Sequence, residues 1–176
     1  MEDLSLNIFS QILSNELIVL VRDSSVSTAS FDTNSRKLVL PLLMGENIEK
    51  IDIMFVAHEV GHALYTDHSF IHKHFSFNDS KRLFKYFNVV EDARIEKLIV
   101  QKFPGVLKML FTGYKALIDL KGVSDELDNL LFIDKFNMYF KGRDELFKFD
   151  FNDIEKDFIL RGANQTTIEE ALRLAK

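Results

Sequence analysis

Residues 51–64 are apolar at Ile51, Ile53, Met54, Phe55, Val56, Ala57, Val60, Ala63 and Leu64, yet the same stretch carries His58, Glu59 and His62. A helix apolar on every side belongs in an interior. Polar groups there need partners, because an unpaired buried one costs about 1–3 kcal/mol and a buried charge more. Any fold must therefore enclose this helix and bring something to these three side chains. Residues four apart share a helix face, so His58 and His62 can aim two imidazole nitrogens at one ion about 2.0–2.1 Å away. Glu59 lies about 100° around the helix from His58, poorly placed as a third ligand but able to reach a water beside the ion. The stretch predicts half of a zinc site, with Glu59 as general base.

The other half must come from elsewhere in the chain. All five histidines fall between 58 and 74, so a third imidazole would be His68, His72 or His74. His68 follows His58 at the spacing of H-E-x-x-H-x-x-G-x-x-H. Where that pattern has the glycine of a sharp turn, this chain has Tyr65. His68, His72 and His74 read instead as surface residues of a polar linker. Residues 80–102 predict a long helix, capped by Asn78, Asp79 or Ser80 and closed by Pro104-Gly105. One face runs Phe84, Phe87, Glu91, Ile95, Leu98, and a glutamate within an apolar stripe needs a partner. Glu91 is the expected third ligand, with Asp92 the alternative by the same logic. Asp92 and Glu96, four apart on a neighbouring face with Lys85 and Asn88, read as solvated or as outer partners of the ligands.

The 176 residues suit one domain, with an N-terminal lobe over 1–66 and a helical C-terminal lobe over 67–176. The lack of cysteine excludes disulfides and thiolate ligands and fits a cytoplasmic protein. A net charge of -5 gives no support to nucleic-acid binding. The N-terminus lacks the basic and apolar segments of a signal peptide, and no apolar run reaches the roughly 20 residues that span a membrane. Residues 3–15 predict a first helix, 17–21 and 38–41 strands, 24–30 a loop, and 31–37 a turn. Pro41 ends its strand or places it at a sheet edge, where an extended peptide could add by backbone hydrogen bonds. Residues 106–120 predict a buried helix with Tyr114 in the core. Ser124 is the expected cap of a helix over 125–141 that Gly142 ends, with Tyr139 packed beside Phe136 and Phe140 rather than reaching an oxyanion. Phe147-Lys148-Phe149-Asp150-Phe151 alternates as a short strand or extended arm. Thr166-Thr167-Ile168-Glu169-Glu170 opens a last helix through Leu174 with a capping box.

His58-Glu59-Val60-Gly61-His62 with a glutamate on a downstream helix resembles the gluzincin branch of zinc metallopeptidases. More narrowly, the run from His58 to Thr66 followed by Asn88-Val89-Val90-Glu91-Asp92-Ala93-Arg94-Ile95-Glu96 is similar to metallopeptidases encoded by tailed bacteriophages. These often carry a von Willebrand factor A-like domain related to cobaltochelatase subunits. Residues 133–143 resemble the same group, so the likeness covers roughly 50–145. It implies a zinc-dependent peptidase with His58, His62 and Glu91 on the metal and Glu59 as base, acting in the cytoplasm, that of the host if phage-encoded. The fold expected is α+β and zincin-like, mainly helical, with a small N-terminal β-sheet lobe facing a helical lobe that donates Glu91. The position four after Glu91, where an aspartate would orient a histidine, is Ile95. Peptide or protein is the expected substrate. The alternatives are a zinc-stabilised, non-catalytic interaction or assembly module serving a partner protein, and a metal-dependent amidase or esterase on a small substrate.

Overall fold

The computed structural model describes residues 3–75, 81–122 and 130–176. Helix α1 (Asp3–Ser14) leads into a three-stranded sheet of β1 (Val19–Asp23), β2 (Ser30–Asp32) and β3 (Lys37–Pro41). Helix α2 (Ile48–Tyr65) follows, then α3 (His68–Phe75), α4 (Lys81–Lys102), α5 (Val106–Lys121), α6 (Phe132–Leu146), α7 (Asp153–Asn164) and α8 (Ile168–Ala175). The described residues are thus α+β, mostly helical with one small sheet. No described helix is long and apolar enough to cross a membrane.

The all-round apolar helix is indeed enclosed. On α2, Ile51, Met54, Val56, Ala57 and Val60 are almost wholly buried. They join Leu6 of α1, Leu38 and Leu40 of β3, and Val106, Leu110 and Tyr114 of α5 in one apolar cluster. Contact with α5 is close enough to require glycine: a Cβ on Gly113 would lie 2.1 Å from Met54 Cβ and 2.7 Å from the Lys50 carbonyl oxygen. A second cluster joins Phe87 and Val90 of α4 to Phe136 of α6 and to Ala171 and Leu172 of α8. Although it lies late in the chain, α5 packs within the first cluster.

The strand order is β1-β3-β2, with β1 parallel and β2 antiparallel to β3. Strand 38–41 is therefore central; Pro41 ends it rather than placing it at an edge, and β1 and β2 are the two edge strands. Phe31 and Asp32, expected within a turn, form part of β2. The tight turn follows them, with Arg36 at φ 56 and Asp32 accepting from the backbone N–H groups of Asn34 and Ser35.

Other expectations change for local reasons. Residues 68–75, expected as a polar linker, form α3, with the Asp67 carboxylate accepting from Ser69 N at its start. Helix α6 continues past Gly142 to Leu146, because that glycine serves packing rather than termination: a Cβ there would lie 2.6 Å from the Phe147 ring. At its other end, Leu130 and Leu131 precede the helix. The proposed caps at Asn78, Asp79, Ser80 and Ser124 lie outside the described residues. Residues 147–151 form no strand but an irregular arm whose rings Phe147, Phe149 and Phe151 contact one another in turn. Helix α7, absent from the sequence reading, starts on an Asn152–Glu155 capping box.

Candidate metal centre

Three arginines hold α2, the helix that carries His58, Glu59 and His62. From β1, Arg22 forks onto Asp52, with Nη1–Oδ1 at 3.1 Å and Nη2–Oδ2 at 2.6 Å. At the C-terminus of α2, where backbone carbonyls lack intrahelical donors, Arg36 donates to the Ala63 oxygen at 2.8 Å and Arg94 to the Tyr65 oxygen at 2.7 Å. These contacts fix α2 against both the sheet and α4.

On that fixed helix His58 and His62 are neighbours, with ring centroids 5.1 Å apart. The carboxylate facing them is Asp92: Oδ1 lies 3.2 Å from His62 Nε2 and 3.7 Å from His58 Nε2. One donor atom from each of His58, His62 and Asp92 falls within 4.8 Å of the other two. This buried group can bind a metal ion.

The hydrogen bonds behind the rings assign their donor atoms. His58 Nδ1 lies 2.8 Å from Glu96 Oε1. An ionised carboxylate only accepts, so Nδ1 carries a hydrogen and donates it. Tyr114 Oη also donates to Glu96 Oε1. For His62, Thr66 Oγ1 lies 3.0 Å from Nδ1 and donates to Glu91 Oε1 at 2.8 Å. Its single hydrogen is thereby committed, so it accepts from His62 Nδ1–H. Both rings are thus held with Nε2 as the nitrogen available to an ion, by outer contacts of the kind that orient metal-bound histidines. The donor set of two imidazole nitrogens and one carboxylate oxygen suits zinc.

Negative groups surround the imidazoles. Burial lowers the His58 pKa, but Asp92, Glu96 and Glu59 more than offset it and raise it to about 9. Burial pushes Asp92 upward, yet Lys141, His58 and His62 prevail and hold it below the ordinary carboxylate range. Glu59, 5 % exposed, is raised chiefly by desolvation, although both imidazoles oppose the shift. Lys141 of α6 donates to Asp92 Oδ2 at 3.1 Å and lies over the Tyr114 ring.

These groups open onto a cleft of about 760 Å³. His58, Glu59, His62 and Asp92 line it beside Ala29, Ser30 and Phe31 of the β2 region, with Phe55, Phe87 and Met138 among its apolar walls.

The expectation for Glu91 requires correction. The structure brings Asp92, not Glu91, to the imidazoles. Glu91 is 1 % exposed and its oxygens are taken by the Arg94 guanidinium, at 2.5 and 2.8 Å, and by Thr66. It acts on the site through Thr66, behind His62. Nor are Asp92 and Glu96 solvated: residues 91–96 are all buried, and Glu96 holds His58. The i, i+4 pair Asp92 and Glu96 is the available signal: it sets one acid four residues after another, where the position four after Glu91 is Ile95. His68 lies outside the group, exposed, with Nδ1 3.1 Å from Thr33 Oγ1, and His72 and His74 are also exposed. Tyr139 contacts Phe140 and Phe151 and lines a different cavity. No family model, curated protein or solved structure matches the chain.

Proposed function

We propose that the protein is a zinc-dependent metallopeptidase of zincin-like architecture, with His58, His62 and Asp92 as ligands and Glu59 as general base. The observation that carries this reading is the convergence of two oriented Nε2 atoms and Asp92 Oδ1 at one end of a cleft that Glu59 also lines. Three protein ligands leave a fourth position open, as catalytic zinc sites do and structural ones do not. A bound zinc ion would supply Lewis acidity of the kind that lets water ionise near pH 7.

The protein's own groups account for the remaining requirements. Glu59, adjacent in sequence to the ligand His58 and buried in the same cleft, accepts the proton of the attacking water. It passes that proton to the leaving amine as the C–N bond breaks. Edge strand β2 pairs only with β3 on one side, and its Ser30 and Phe31 line the cleft. An extended peptide added there would run past the ligands.

Metal analysis of the purified protein, with casein hydrolysis assayed in parallel, tests the reading. Wild type should carry one zinc per chain and cleave casein in a chelator-sensitive way. Glu59→Gln should keep the zinc and lose at least about a hundredfold in rate. A protein that holds zinc but cleaves neither casein nor a mixed peptide library would instead be the zinc-stabilised interaction module.

A further inference from the structure

A lysine ammonium 3.1 Å from a metal ligand needs a reason, since it repels the ion that the ligand attracts. The two oxygens of Asp92 have different partners: Oδ1 faces both imidazoles, while Oδ2 is bonded to Lys141. Helix α6 brings this cation to the site from outside the α2–α4 pair. Lys141 lines the cleft beside Asp92, its side chain 25 % exposed against 8 %. Glu91 is balanced by Arg94. Glu59, Asp92 and Glu96 are left as buried anions, and one dication together with Lys141 neutralises them. A buried site with net charge would be costly.

We propose that Lys141 is a positioning residue of the metal centre: by occupying Oδ2 it restricts Asp92 to one coordinating oxygen and keeps the remaining position on the ion open. The proposal rests on the metal-binding reading of His58, His62 and Asp92. It predicts an unusual sign. Loss of an ordinary outer partner weakens metal binding about 10–100-fold. Loss of Lys141 should strengthen it, because a repelling charge disappears and Oδ2 becomes a second donor.

Cobalt(II) provides the test, because its visible bands weaken as coordination number rises and geometry reports the ligand set. Cobalt-loaded wild type should show the intense bands of a four-coordinate ion. Lys141→Met and Lys141→Ala should show weaker bands and hold cobalt roughly tenfold or more tightly in chelator competition. Lys141→Arg should restore the wild-type spectrum. Neutral variants with wild-type spectrum and affinity, or folded variants that bind cobalt more weakly, would overturn the proposal. So would weak bands in wild type, a measurement that needs no variant to fold. Failure of wild type to bind either cobalt or zinc is a separate result, which removes the metal reading itself.

Discussion

Replacement of Glu91 by glutamine separates its structural work from metal binding. Its carboxylate and the Arg94 guanidinium form a two-pronged pair with side chains 1 % and 4 % exposed. Removing one partner of a buried pair costs about 3–5 kcal/mol, because the other charge remains uncompensated. Glutamine retains one acceptor oxygen, which places Glu91→Gln near about 3 kcal/mol. For a domain of this size each kcal/mol shifts Tm by about 2–4 °C, so metal-free Glu91→Gln should melt roughly 6–12 °C below wild type. Zinc adds stability by mass action, about 2.7 kcal/mol at one hundred times Kd. Glu91→Gln should keep that rise at saturating zinc, since His58, His62 and Asp92 are all still present. In Asp92→Asn most of the zinc-dependent rise should vanish. Calorimetric melts with zinc and with chelator measure both quantities. If Glu91→Gln abolishes the zinc-dependent rise while Asp92→Asn retains it, Glu91 is the ligand and the assignment above is reversed.

Two further perturbations test the frame around the site. Gly113→Ala drives a methyl group into Met54 Cβ and the Lys50 carbonyl. Neither can rotate away, so overpacking should exceed the roughly 1 kcal/mol gained in helix propensity and leave a net loss of about 2 kcal/mol in urea unfolding; an unchanged midpoint would contradict the close α2–α5 packing. At the last helix, Glu170 accepts from the backbone N–H groups of Thr166 and Thr167 and from the Thr166 hydroxyl, which holds its pKa below 4.5. A depressed folded pKa gives stability that is present above the unfolded value and lost as pH falls through the folded one. Glu170→Gln should therefore melt below wild type at pH 7, with the gap closing in acid below 4.5; a gap independent of pH would refute the charged cap.

What the sequence determined follows from periodicity and from the cost of isolated polar groups. A helix apolar all round has one place in a fold, and His58, Glu59 and His62 within it share a narrow range of chemistry. That much needs no neighbours. The capping boxes of α7 and α8 are local in the same way. The carboxylate that meets the imidazoles is not local. Glu91 and Asp92 are adjacent on a helix whose middle is enclosed on all sides, so burial says only that both have partners. Which partner each meets depends on how α4 is rotated against α2, and that rotation is fixed by contacts far apart in sequence. Arg94 reaches Glu91 and the end of α2, Glu96 reaches His58 and Tyr114, and Lys141 arrives from α6. A turn of about 100° per residue separates an arginine-bound glutamate from an aspartate that faces the two imidazoles, and only packing among α2, α4, α5 and α6 selects between them.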